Sequence, residues 1–179
     1  MSMDETNEEL KKRFFSLSDD EKEKFLRSIN NGPETNTSNI LIRKLYAAIE
    51  SGETKTVEFK SSLSLDINKG TKEKYIELAA VKTVCGFLNS IGGLLILGLN
   101  DFGEIIGIDS EIEKFHKSND KFLLHLKSVL KTRLGEKYFE LIDQHLIMVS
   151  GKQLLLVDCK QSKIPVYVDD CVCCCGVDL

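Results

Sequence analysis

Two segments of this chain hold residue types that could do chemistry together. In Glu53-Thr-Lys-Thr-Val-Glu58-Phe-Lys60, two carboxylates and an ammonium bracket a short alternating stretch. Further on, Phe87-Leu-Asn-Ser-Ile-Gly-Gly-Leu-Leu-Ile-Leu-Gly-Leu-Asn-Asp101-Phe-Gly103 runs from an apolar helix end through a double glycine and a buried strand to an acidic turn. Glu58 and Lys60 are two apart, so on a strand they share a face. Glu53 would point the other way if the strand were continuous. It follows Ser51-Gly52, however, where the backbone can curl back over the strand edge. Asp101 arrives where a central strand ends. A hard divalent cation such as Mg²⁺ or Mn²⁺ takes one or two carboxylates together with phosphate oxygens and water. It would activate water or stabilise a leaving oxygen, with Lys60 offsetting charge on a phosphodiester. Surface strands alternate Glu and Lys constantly, so on the residues alone a solvated strand face with a cross-strand partner is the plainer explanation of Glu58 and Lys60.

A second candidate is basic. Residues 114–133 carry Lys114, Lys117, Lys121, Lys127, Lys131 and Arg133 against Asp120, a local excess of +5. At helical pitch Phe122, Leu126 and Val129 make an inner stripe, and Lys117, Lys121, His125 and Lys131 fall on the opposite arc. With Lys127 they form a candidate phosphate-binding surface. An amphipathic helix with a solvated face fits the same pattern. His116, His125 and His145 are not spaced as a metal or catalytic set. Cys171, Cys173, Cys174 and Cys175 crowd near the end of the chain. Zinc ligands need a longer separation between pairs, so the spacing of Cys171, Cys173 and Cys175 speaks against zinc.

The elements that must position these residues read as α+β. A helix capped by Asn39 is expected over 40–49, a strand over 56–61, a loop over 66–71 and a helix over 72–90. A strand over 94–99 is apolar on both faces and belongs inside a sheet. A hairpin turn then leads to a strand over 104–108, the basic helix covers 114–133, and strands follow over 139–149, 153–159, 165–168 and 171–175. The result is a small mixed or antiparallel sheet covered by helices on one face. Ahead of it, residues 7–30 read as two short helices around the capping box Ser18-Asp-Asp-Glu21. Turn formers over 30–39 mark a linker. The domain expectation is therefore an acidic helical appendage plus linker over 1–36 and a main domain over 37–179.

Composition bounds the partners. The 179 residues are 42% hydrophobic and 29% charged, with net charge −4 and a pI near 5.5. Residues 1–36 hold nine acidic and six basic side chains, so the remainder is nearly neutral and any polyanion must meet a local patch. The chain opens without an apolar leader core, and its longest apolar run is too short to span a bilayer. A cytoplasmic location, no membrane contact and reduced cysteines are expected, with Cys85 and Cys159 in the core.

Three motifs, in order and spacing, resemble the divergent AlbA domain found in Schlafen proteins and in bacterial DNA-binding regulators. They are Glu-x3-Val-Glu-Phe-Lys-Ser, then Phe-Leu-Asn-Ser-x-Gly-Gly-x-Leu-x-x-Gly-x-x-Asp-x-Gly-x-Ile-x-Gly, then Pro-Val-Tyr-Val, and the resemblance covers about residues 40–175. It implies a small α+β lobe that binds nucleic acid. In the Schlafens that are endoribonucleases on structured RNA such as tRNA, the catalytic acids match Glu53, Glu58 and Asp101, with Lys60 beside them. The resemblance further implies Mg²⁺ or Mn²⁺ at those three acids. Vertebrate members pair two lobes into a clamp, so a homodimer is expected of a chain with one. A non-enzymatic DNA-binding regulator is the alternative reading.

Overall fold

The computed structural model describes Ser18, residues 36–168 and the backbone of 171–172. The helices expected over 7–30 and the residues Cys173, Cys174 and Cys175 lie outside the described residues. The chain divides into two compact units, Met1–Glu50 and Ser51–Leu179. In the first, helix α1 (Asn36–Ser51) begins ahead of the cap expected at Asn39. Its Ile42, Leu45, Tyr46 and Ile49 recur at three- and four-residue spacing and are buried.

The second unit runs β1 (Val57–Lys60), β2 (Leu65–Asp66), β3 (Thr71–Lys72), α2 (Lys74–Asn89), β4 (Gly93–Leu97) and a single turn α3 (Asp109–Glu111). It continues with α4 (Asn119–Leu134), β5 (Ile142–Val149), β6 (Lys152–Cys159), β7 (Tyr167–Val168) and β8 (Cys171–Val172). Four strands form one sheet in the order β1-β4-β6-β5, with β1 parallel to β4 and the other two pairings antiparallel. This is an α+β fold with a small mixed sheet. As the apolar run predicted, β4 is interior. Leu95 and Leu97 of β4, with Leu155, Val157 and Cys159 of β6, join Val84, Phe87 and Leu88 of α2 and Phe122, Leu126 and Leu130 of α4 in one core. Each such side chain contributes about 1.5–3 kcal/mol by leaving water. Leu94, Ile96, Leu154 and Leu156, of the other parity, are buried too. Cys85 and Cys159 are buried in the core, as expected.

The double glycine between α2 and β4 is required twice over. Gly92 has φ +90°, and a Cβ there would lie 2.5 Å from the Cys159 carbonyl oxygen. A Cβ on Gly93 would lie 2.4 Å from the Phe87 ring. The tight turn thus presses the sheet directly onto the end of α2.

Four local expectations are corrected. The loop expected over 66–71 is a tiny hairpin, β2 with β3. Asp66 fastens it by accepting from the Asn68 and Lys69 amides, each at 3.0 Å, and from the Tyr75 hydroxyl at 3.2 Å. The strand expected over 104–108 is reduced to one bridge, Leu99 with Ile105. The helix expected over 114–133 is broken: Ile112–His116 is a π-helical turn, Lys117 is left-handed at φ 68°, and Ser118 caps α4 by accepting from the Lys121 amide. Finally, the strand expected from 139 begins at Ile142, because Gly135 at φ 99° leads into a 3-10 turn, Glu136–Leu141.

Candidate functional site

The acidic edge is built by a chain reversal. Thr54 bridges Val57 in antiparallel fashion, with the Thr54 amide donating to the Val57 carbonyl at 2.9 Å. The reversal brings Glu53 opposite Glu58 and removes the parity obstacle of a continuous strand. Glu53 Oε1 accepts from the Phe59 amide at 2.9 Å while the residue stays exposed. Glu58 and Lys60, expected to face outward, instead share the helix-covered face with their partners Leu95 and Leu97 at the edge of the sheet. There Lys60 Nζ donates to Glu58 Oε1 at 2.9 Å, with the Glu58 and Lys60 side chains 35% and 20% exposed. The Lys60 ammonium is therefore largely neutralised from within the chain.

Asp101 comes from the neighbouring strand. Beyond β4, the Gly98 amide donates to the Lys60 carbonyl at 2.8 Å, so the exits of β1 and β4 lie side by side. Asn100 Oδ1 accepts from the Phe102 and Glu104 amides at 3.0 and 2.9 Å, which pins the turn and leaves Asp101 exposed at its tip. Glu58 thus lies on β1, Glu53 on the turn that precedes it, and Asp101 on the turn after the adjoining strand β4. Yet among the described residues no three His, Cys, Asp or Glu side chains gather closely enough to hold a metal ion. As arranged, one Glu53 oxygen is on an amide, Glu58 is on a lysine and Asp101 stands on a separate tip, so the three carboxylates are not gathered around one point.

The basic surface splits into two shoulders. Along α4 the buried stripe is Phe122, Leu126, Leu130 and Leu134, with Val129 only partly buried at its margin. Lys121 and His125 lie on one shoulder, Lys127 and Lys131 on the other. Lys117 is not on the helix: its ammonium donates back to the Glu113 carbonyl at 3.3 Å from the preceding turn. Lys121 and Lys127 are exposed, and exposed Lys131 pairs with exposed Glu136 at 2.9 Å. Such surface pairs contribute little and exchange readily for another anion. His125 differs, because its Nε2 lies 2.6 Å from Glu77 Oε2 and 3.1 Å from Lys72 Nζ. A hydrogen on Nε2 satisfies Glu77, which leaves Lys72 no lone pair there to bond. His125 is thus an internal tie between α4 and α2 before it is a phosphate ligand.

Two polar groups found by the structure had no role in the sequence reading. Glu111 is 1% exposed and accepts from the Leu63 amide at 2.8 Å, the Ser64 amide at 2.7 Å and the Ser64 hydroxyl at 2.6 Å. It fastens the loop after β1 to α3. His116, not spaced with the other histidines as a metal or catalytic set, lies tilted against His125 with ring centroids 4.9 Å apart and edge-on to Phe122 at 5.2 Å. Its imidazole is pushed down to about 4, by burial first and then by the charges of His125 and Lys72, with Glu77 opposing. The Ser118 N-cap was the one sequence signal that could have placed a turn between the two histidines.

The family model described as "Schlafen, AlbA_2" matches residues 53–172. The match begins at Glu53 and leaves α1 outside, so it is shorter than the span the motifs suggested. No curated protein matches the chain. Among solved structures, the DIP2311 protein from Corynebacterium diphtheriae aligns at 21% identity and TM-score 0.49, over 72% of this chain and 26% of that one. The chain therefore spans about a quarter of that protein's length. Among the described residues no helix is long and apolar enough to cross a membrane. With the family match covering well over half of the sequence, from the acidic edge through β8, the chain belongs to the Schlafen AlbA_2 family.

Proposed function

We propose that the unit beginning at Ser51 is a nucleic-acid-binding lobe whose phosphate contacts come from α4. The observation that carries this is the one-sided charge of that helix, with Lys121, Lys127 and Lys131 exposed in an otherwise nearly neutral domain. Membership of the Schlafen AlbA_2 family supports it. Lysines set in solvent gain affinity by releasing condensed counterions, so binding must weaken as salt rises. Fluorescence-anisotropy titrations with an RNA hairpin and with duplex DNA at two salt concentrations test it. Absence of binding to both would sink the reading.

A second, finer reading is a metal-dependent endoribonuclease acting on tRNA-like RNA. It is favoured by the reversal that brings Glu53 opposite Glu58, with Lys60 on the same face and Asp101 on the adjoining strand exit. Mg²⁺ or Mn²⁺, when bound, would supply an activated water or a charge for the leaving oxygen. Holding it requires Glu58 to leave Lys60, which would free that ammonium for a phosphate. A second copy of the chain would complete a two-lobed clamp, detectable by light scattering at micromolar concentration. Purified tRNA should be cut in Mn²⁺ or Mg²⁺, remain whole in EDTA, and remain whole with Glu58→Ala. If no metal supports cutting and duplex DNA binds more tightly than tRNA, the lobe is a DNA-binding regulator instead.

A further inference from the structure

Between the outer shoulder of α4 and the edge strand β5 lies a cleft of about 720 Å³. Its walls include Leu124, Phe139 and Ile142, and Lys127 and Lys131 stand one helical turn apart along it. Leu124 is 67% exposed, an apolar side chain held in solvent between lysines. On β5, alternate residues Ile142, Gln144 and Leu146 share the face toward the helices. Ile142 belongs to the core and Leu146 packs against it. Gln144 interrupts that apolar register, and its Oε1 is buried without a hydrogen-bond partner among the described residues. An apolar residue would fill this position at no such cost, and because Gln144 lines the cleft, turning its amide toward the opening gives this acceptor a donor from outside. The one acid lining the cleft, Asp143, is tied to Lys160 at 3.0 Å, which leaves the lysines to set the local charge.

We propose that this cleft receives one unpaired base of a nucleic acid strand. The apolar walls cover its faces, Gln144 Oε1 accepts from an amino or imino group on the base edge, and Lys127 and Lys131 hold the flanking phosphates. An unpaired base is the fitting occupant because its faces and its Watson–Crick edge are free, whereas a base within a duplex has its faces stacked and that edge paired. This rests on the nucleic-acid-binding reading above and adds to it what the lobe selects.

The test uses two RNAs that differ by one feature: a blunt duplex, and the same duplex carrying a single-nucleotide bulge. Anisotropy titrations of the full chain should give about tenfold tighter binding of the bulged RNA, the scale of one stacked base. Gln144→Leu keeps the side-chain volume and restores the apolar register, so it folds at least as well. It should abolish the preference while leaving duplex affinity unchanged. Leu124→Asp, at an exposed position, should also abolish it by placing a carboxylate in the mouth. Equal affinities for the two RNAs in the wild type, or a preference that survives both variants, overturns the proposal and leaves the binding reading standing. If neither RNA binds, this proposal falls, and the binding reading falls with it only where duplex DNA does not bind either.

Discussion

Glu111 and Glu53 both accept hydrogen bonds from backbone amides, yet they stand at opposite extremes of solvent access. Glu111 is 1% exposed and meets three donors from Leu63 and Ser64. Glu53 is exposed and meets the Phe59 amide through one oxygen. The first carboxylate is consumed by the fold. The second, like the tip residue Asp101, keeps capacity for a ligand. An acidic residue on a sheet edge therefore marks a candidate site only when its oxygens are not already spent on backbone donors.

Substitutions can break this contrast. The largest expected effect is Glu111→Ala, which strands two buried amides and a hydroxyl and should lower unfolding free energy by about 3 kcal/mol or more. Urea denaturation gives the value directly, and a loss under 1 kcal/mol would mean that water or a rearranged loop replaces the carboxylate. Next comes pH. Above the ordinary histidine value of 6.5 the His116 ring is neutral in both folded and unfolded chains, so its contribution is complete. Between 6.5 and about 4 only the unfolded chain takes up the proton, so stability falls as pH falls through that window. The loss at pH 4.5 should be on the order of 2 kcal/mol relative to pH 7.5. His116→Phe should flatten it, whereas an unchanged slope would assign the loss to carboxylates elsewhere. Smallest are the edge acids. Glu53→Ala should cost about 1 kcal/mol for its single amide contact, and Asp101→Ala within about 0.5 kcal/mol. A large loss at Asp101 would make it a structural residue and erase the contrast.

Much of the frame was legible because it rests on periodicity and backbone rules. The two-sided apolar run of β4 announced an interior strand, and Gly92-Gly93 announced the turn that presses it onto α2. The curl that sets Glu53 opposite Glu58 was legible from Ser51-Gly52. What escaped depended on contacts distant in sequence. Glu111 looked like one more acid in a polar turn, and only the folded chain brings Leu63 and Ser64 to it. The two-residue strands β2 and β3 are too short to show alternation. Lys117 adopts a left-handed conformation without being glycine, so a single basic helix seemed to run through it. His125 looked like a member of the lysine stripe because Glu77 and Lys72 lie on other elements. Gln144 was hidden for the converse reason: one polar residue in a strand is ordinary until its partners are counted.

The most direct test of the account is the salt dependence of RNA binding, measured for the wild type and for a Lys121→Ala, Lys127→Ala, Lys131→Ala triple variant. Log affinity should fall steeply with log salt in the wild type, with a slope shallower by about one unit for each lysine removed. A flat wild-type slope, or a triple variant with the same affinity and slope, would contradict it.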